Sequence, residues 1–321
     1  MKAVVYRKNG PPEVLTYEEL EKPAPKQQEV LIKVHAAAVN PLDYHMMKGG
    51  PALMRLLMGP RKAKVPGVDL AGVVEAVGPG VKQIKIGDAV FGVGRGAFAE
   101  YAVAPEPSLA LKPDAVSFED AASCPVAALT ALQGLRDQGK IQAGQKVLIN
   151  GASGGVGTFA VQLARFFGAH VTAVCSAGNA ELVRSMGAEQ VIDYAKTNFV
   201  TGTERYDLIF DLAGNHSYPS CKHTLTPHGI WVGAGILAGP KSLLVMFGGL
   251  FWKMAVSRFS RQKFSFFIAK ANRQDLTLIA ESIASGNLKP AIDKRFTLAE
   301  VPQAIRYQGT WHARGKLVVN L

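Results

Sequence analysis

The sequence predicts an α/β protein in which a β-rich domain is split in sequence around an inserted, doubly wound parallel sheet. Three observations predict it. Residues 1–120 of the 321 carry frequent short β-branched runs between Gly- and Pro-containing turns, the text of a barrel or sandwich. After Ser117, apolar strand-like runs alternate with helical ones, as in a parallel sheet covered by helices. Residues 269–321 return to strand text. The expected divisions are therefore 1–120, 121–268 and 269–321, with the two ends of the chain in one domain. A prior of about 150 residues per domain also gives two.

Each element has a local reason. Residues 30–34 alternate apolar and polar side chains, and residues 73–77 and 89–91 are short β-branched runs. Gly78-Pro79-Gly80 and Gly87-Asp88 supply the turns between them. Residues 118–135 are rich in Ala and Leu and read as one helix. Residues 146–150 form a buried strand, 156–167 a helix, 171–175 a second strand, 180–186 a helix and 191–194 a third strand. Residues 207–211 and 230–232 continue the series, and 296–297 and 316–319 close the chain as strands.

Composition narrows the class. Hydrophobic residues make up 48% and charged residues 19%, which excludes a disordered chain. Cys124, Cys175 and Cys221 lie far apart, so there is neither a disulfide framework nor a C-x-x-C metal pair, and a reducing, cytoplasmic setting is expected. Three cysteines cannot build a four-cysteine zinc lobe. Residues 1–6 read as a strand and not as a signal peptide. No apolar run reaches about 18 residues, so no spanning helix is expected. The net charge of +11 favours anionic ligands.

The strand at 146–150 runs into Gly151-Ala152-Ser153-Gly154-Gly155-Val156-Gly157 and then a helix. Glycines there let the backbone approach a pyrophosphate, and the helix turns its free N–H groups towards the anion. The spacing is G-x-x-G-x-x-G, a variant of the usual dinucleotide fingerprint. Ribose recognition by NAD enzymes uses an Asp or Glu at the end of the second strand. Here that text is Val174-Cys175-Ser176-Ala177-Gly178-Asn179. A carboxylate would repel a 2′-phosphate, whereas hydroxyl and amide donors accept one. NADP(H) is therefore the expected cofactor. Ser176 and Asn179 are the candidate donors, joined by Tyr194 from the end of the third strand.

These residues carry a family likeness. The chain resembles the medium-chain dehydrogenase/reductase superfamily, and most of all its zinc-independent quinone oxidoreductase and 2-alkenal reductase branch. The matching segments are Val39-Asn40-Pro41-Leu42-Asp43, Pro66-Gly67-Val68-Asp69-Leu70-Ala71-Gly72, Gly87-Asp88-Ala89-Val90-Phe91-Gly92, Ala97-Phe98-Ala99-Glu100-Tyr101 and Leu129-Thr130-Ala131. They continue through the glycine loop, Gly187-Ala188 and Val191-Ile192-Asp193-Tyr194 to His312-Ala313-Arg314-Gly315-Lys316. The likeness implies a GroES-like substrate domain and a Rossmann domain with the active site in the cleft between them. It implies that Ser153, Val156, Ser176 and Tyr194 face the cofactor phosphates, with Gly154 and Gly155 of the loop also cofactor-binding. Thr130 and the backbone of Gly233, Ala234 and Gly235 would lie near the nicotinamide, and Arg314 would also contact the cofactor. A homodimer is the family pattern.

Departures from the zinc enzymes of the superfamily matter as much. Those carry Cys where Asn40 stands and Gly-His-Glu where this chain reads Gly67-Val68-Asp69. Without Cys and His no catalytic zinc is expected, and alcohol oxidation loses its Lewis acid. What remains is hydride transfer to an electrophile: a quinone, or the β-carbon of an enal or enone. Charge then develops on the carbonyl oxygen and calls for a hydrogen-bond donor. Asn40 is the expected donor, with Tyr44 and His45 as further candidates. Against this, Asn40-Pro41 also reads as a turn, and Asp43 as a cap of the following helix. Enoyl-thioester reduction is the enzymatic alternative, and a non-catalytic NADPH sensor or nucleic-acid-binding relative the non-enzymatic one.

From Leu212 to Gln274 there is no acidic residue and there are eight basic ones: Lys222, Lys241, Lys253, Arg258, Arg261, Lys263, Lys270 and Arg273. Residues 242–252 within it are almost wholly apolar. The first expectation is a hydrophobic helix and an edge strand packed on the substrate pocket or a second subunit. The alternatives are peripheral contact with an anionic membrane and, less favoured, nucleic acid.

Overall fold

The computed structural model describes residues 1–49, 64–216, 218–234 and 261–321. They form two units, Met1–Leu129 with Lys270–Leu321, and Thr130–Ala269.

In the first unit, β1 (Lys2–Val5) and β2 (Thr16–Glu19) pair as an antiparallel ribbon. The alternation at 30–34 belongs to a longer strand, β3 (Glu29–Val39), followed by helix α1 (Pro41–Lys48). The next strands are β4 (Asp69–Val77), β5 (Ala89–Val93), β6 (Tyr101–Pro105) and β7 (Leu109–Leu111). Helix α2 (Phe118–Ser123) follows. β3 needs its length because it serves two partners along one edge. Its first half pairs antiparallel with β6, and its second half with β15 (Lys316–Asn320). The other edge holds β4, and the sheet runs β14-β15-β3-β4-β5-β7 with β14 spanning Ile292–Thr297. The last strand of the chain thus lies beside one of the first.

The single helix expected over 118–135 is broken. Pro125 has no N–H to continue α2, and it starts a new helix, α3 (Pro125–Gln133), at a position proline favours. α2 packs on β3, β4 and β15. Residues 121–129 therefore belong to the first unit, not to the inserted one as the division at 120/121 supposed.

The second unit holds strands β8 (Lys146–Asn150), β9 (His170–Cys175), β10 (Gln190–Asp193), β11 (Tyr206–Asp211), β12 (Leu225–Ala234) and β13 (Lys263–Phe267). All pair in parallel, in the order β10-β9-β8-β11-β12-β13. Counted from β8 this is 3-2-1-4-5-6, the order of a Rossmann sheet, with its topological switch between β8 and β11. Helix α4 (Gly155–Phe166) packs on β8 and β9, and α5 (Ala180–Ser185) on β10. α4 buries Phe159, Ala160, Leu163 and Ala164; the Phe159 side chain alone contributes about 1.5–3 kcal/mol of burial. Helix α6 (Tyr218–Cys221) precedes β12, whose Trp231 stacks on Phe264 of β13 with ring centroids 4.7 Å apart.

After β13 the chain returns to the first unit through α7 (Arg273–Ala284) and α8 (Val301–Gln308). α8 buries Val301, Ala304, Ile305 and Gln308, one face at helical spacing, in a core with Met47, Leu317 and Val319. The apolar run at 242–252, with Lys241, Lys253 and Arg258, lies outside the described residues, as does Gly235. Among the described residues no helix is long and apolar enough to cross a membrane.

Candidate functional site

Each unit carries one constellation. In the second, β8 ends at Asn150 and the glycine loop begins. Gly151 sits at φ +87°, a turn that L side chains resist. The N–H groups of Gly151 and Ala152 both donate to the Val174 carbonyl at the end of β9, at 3.2 and 3.1 Å. The loop is thereby tied to the neighbouring strand. A Cβ on Gly157 would collide with the Gly151 carbonyl and come within 2.6 Å of the Ala152 carbonyl carbon, so only glycine lets α4 start this close to the loop. At Gly154, by contrast, an added Cβ would meet only the Gly151 oxygen at 3.5 Å. No side chain caps α4, so its first N–H groups are left for a ligand. These features fit a dinucleotide pyrophosphate.

The other expected cofactor residues of this unit gather at the carboxyl ends of the strands. Asn179 donates from Nδ2 to Ser153 Oγ at 3.0 Å, linking the loop after β9 to the phosphate loop. Ser176 opens the 3₁₀ turn Ala177–Asn179 and is half-buried. Tyr194 is held by its N–H to the Cys175 carbonyl at 3.2 Å and leaves its ring exposed. Gly233 and Ala234 end β12, and Val156 lies in the first turn of α4. Thr130 sits buried within α3. Arg314 belongs to the first unit, with its N–H on Asp293 Oδ2 at 3.0 Å and its side chain exposed.

Sequence reasoning missed one group here. At the switch between β8 and β11, Asn150 donates from Nδ2 to Asp211 Oδ1 and to Asn215 Oδ1, both at 2.8 Å. Asp211 Oδ1 also accepts from the Gly214 N–H at 2.9 Å, while Oδ2 is buried without a partner. Burial raises the Asp211 pKa above the usual carboxylate value. The only signal in the sequence was two strands that end on polar residues.

The first unit holds a buried polar cluster. Asn40 is 2% exposed. Its Nδ2 donates to Asp69 Oδ2 at 2.9 Å and to the Ala38 carbonyl at 3.4 Å, and its Oδ1 accepts from Lys316 Nζ at 2.7 Å. Lys316 Nζ also reaches Asp69 Oδ2 at 3.3 Å, and Asp69 Oδ1 accepts from the Val126 N–H at 3.0 Å. Every polar atom of the Asn40 side chain is thus engaged inside the protein. Asn40, expected as a donor to substrate, here bridges the buried pair of Asp69 and Lys316.

Asp43 does cap α1, accepting from the Asn40 N–H at 2.8 Å. Its carboxyl is fully buried, and burial, with the Asp69 charge adding to it, pushes its pKa up to about 7 against the bonds from the Asn40 and Gly67 N–H groups. Burial likewise raises the pKa of Asp69, against the pull of Lys316.

Tyr44 and His45 stand on the half-exposed side of α1. The His45 Nε2 atom is shielded from solvent and has no partner, and burial lowers the His45 pKa. The Tyr44 ring packs against Gly309, where a Cβ would come within 2.5 Å of Cε2. Among the described residues no group of three or more His, Cys, Asp or Glu side chains could hold a metal ion.

Comparison with known proteins agrees with this layout. Residues 26–114 match the alcohol dehydrogenase GroES-like domain, and residues 186–319 match the family described as zinc-binding dehydrogenase. The 2-methylene-furan-3-one reductase of Solanum lycopersicum is 34% identical over 335 residues, covering 100% of this chain and 79% of that protein. The quinone oxidoreductase from Coxiella burnetii superposes with a TM-score of 0.88 at 30% identity, covering 100% and 99% of the two chains. Mycobacterial Rv1454c complexed with NADPH gives a TM-score of 0.80 at 26% identity over the whole of both chains.

Proposed function

The chain belongs to the medium-chain dehydrogenase/reductase family, in its quinone oxidoreductase and 2-alkenal reductase branch, and from that premise we propose an NADPH-dependent reductase of quinones and α,β-unsaturated carbonyl compounds that works without zinc. The observation that carries this reading is the occupied state of Asn40. At the position where the family's zinc enzymes keep a cysteine, an amide is bonded to a carboxylate and an ammonium, and Val68 stands in place of the histidine. Those enzymes hold their zinc through cysteine thiolate and histidine imidazole; Asn40 and Val68 supply neither, and the Asp69 carboxylate is already paired with the Lys316 ammonium.

The nucleotide supplies the hydride when bound. The chain's own residues do the rest. The glycine loop and the uncapped start of α4 hold the pyrophosphate. Ser176, Asn179, Ser153 and Tyr194 offer hydroxyl and amide donors, and no carboxylate, to a 2′-phosphate, which supports NADPH over NADH. With Asn40 committed elsewhere, the donors available to a developing oxyanion are the Tyr44 hydroxyl and the His45 imidazole. Proton delivery to the α-carbon of an enal falls to one of these or to water.

Consumption of NADPH with a panel of naphthoquinones, benzoquinones and short enals tests the reading. Turnover on either class, with NADPH favoured over NADH, is expected. Tight NADPH binding with no turnover on any of them would mark a nucleotide sensor instead, and oxidation of simple secondary alcohols would overturn the proposal.

A further inference from the structure

Trp311 is held at φ +62°, and only it and Lys140 among the described non-glycine residues have such a left-handed backbone. A bulky side chain there is strained and persists only where its surroundings impose it. The turn that ends α8 imposes it: the Gly309, Thr310 and Trp311 N–H groups donate in succession to the Ile305, Tyr307 and Gln308 carbonyls at 3.0, 3.0 and 3.1 Å. Burial does not offset the strain, because Trp311 is 44% exposed.

What the turn achieves is placement. The indole lies 5.6 Å from the His45 ring, tilted by 41°, and 6.3 Å from the Tyr44 ring, edge to face at 79°. Tyr44 and His45 are themselves 6.0 Å apart at 76°. Gly309 gives Tyr44 room to sit flat against the turn. Lys48 Nζ lies 5.0 Å over the Tyr44 ring. Three rings and a cation from two segments distant in sequence therefore meet beside an imidazole whose Nε2 has no partner.

We propose that Trp311, Tyr44 and His45 form an aromatic subsite that takes the ring of a quinone, with Trp311 stacked on the ring. This deepens the reading of the chain as a reductase of electron-poor acceptors and rests on it. The chemistry is complementary. An indole face is electron-rich and a quinone ring electron-poor, so offset stacking is favoured. The Lys48 ammonium over the Tyr44 ring suits the partial negative charge of a quinone oxygen. An aliphatic enal has no ring to stack, so Trp311 sets preference between acceptor classes and does not affect hydride transfer as such.

The test uses the full chain. First, 2-methyl-1,4-naphthoquinone is titrated into wild type without nucleotide while tryptophan fluorescence is followed. Saturable quenching is expected, and Trp311→Phe loses most of its amplitude although Trp231 and Trp252 remain. Second, kcat/KM is compared for that quinone and for a short aliphatic enal in Trp311→Ala and Trp311→Gly. Glycine suits the left-handed backbone, so at least that variant keeps its fold. The quinone value falls about tenfold, as expected for loss of one stacked ring, while the enal value and NADPH binding stay within about twofold. Equal losses for both acceptors, or quenching that survives Trp311→Phe, would overturn the subsite. Quenching by quinone without turnover of any acceptor would instead overturn the reductase reading and leave the subsite standing.

Discussion

Lys316 and Asn40 lie 276 residues apart in sequence, and the ammonium of one donates to the amide oxygen of the other at 2.7 Å. The contact ties β15 to the start of α1, and through Asp69 to β4 and the start of α3. It is one of the points at which the two ends of the divided domain are locked together by side chains as well as by strand pairing, beside the bonds of Arg306 to Glu13 and of Arg295 to Glu119. Removing the ammonium leaves a buried carboxylate without its counter-charge. Lys316→Met should therefore lower stability by about 3–5 kcal/mol at neutral pH, read as a shift in the urea midpoint with unchanged slope. A change below about 1 kcal/mol would show that the pair is not buried as described.

The same cluster makes stability depend on pH in an unusual direction. Asp43 moves from 3.8 when exposed to about 7 when folded. A raised carboxyl favours the folded state while protonated, so its contribution is complete below about pH 4. It is lost as pH rises through about 7, by up to about 4 kcal/mol. Asp43→Asn removes that dependence. The difference between wild type and variant, measured by denaturant unfolding from pH 4 to 8, should fall steadily with rising pH. A flat or rising difference contradicts the burial of a protonated Asp43.

At the phosphate loop, Gly157→Ala forces a methyl group into the Gly151–Ala152 backbone. The loop must shift, and NADPH affinity should fall by well over tenfold, about 1.4 kcal/mol or more. Gly154→Ala, whose Cβ would make only an ordinary contact with the Gly151 oxygen at 3.5 Å, should fold as well as wild type. Isothermal titration of both variants checks the contrast.

Cofactor preference should turn on a single charge. Ser176→Asp places a carboxylate where the 2′-phosphate is proposed to lie. NADPH affinity should drop at least about tenfold, while NADH affinity holds or improves because the new carboxylate can accept from a ribose hydroxyl. Parallel losses for both nucleotides would move the 2′-phosphate elsewhere.

Much of this was legible in the sequence, for physical reasons that also explain the gaps. The strand–glycine–helix text at 146–167 is local, and β8, the loop and α4 fold within one residue of where it placed them. The break at Pro125 was equally local but was hidden by alanine-rich text on either side. The role of Asn40 was not legible. A sequence shows which donor stands at a position, not what already occupies it, and the occupants, Asp69 and Lys316, lie 29 and 276 residues away. The strain at Trp311 was likewise hidden, since it arises from a turn set by α8 and a neighbour on α1.

The proposed reaction passes hydride from NADPH to the β-carbon of a conjugated acceptor without help from a metal. The direct measurement is reduction of a short enone by NADPH deuterated at the transferring position, with enzyme stripped by chelator and checked for residual zinc. Undiminished turnover with one deuterium on the β-carbon of a saturated ketone is the expected result. Turnover that vanishes on chelation and returns with zinc, or deuterium on the carbonyl carbon of an alcohol, would contradict it.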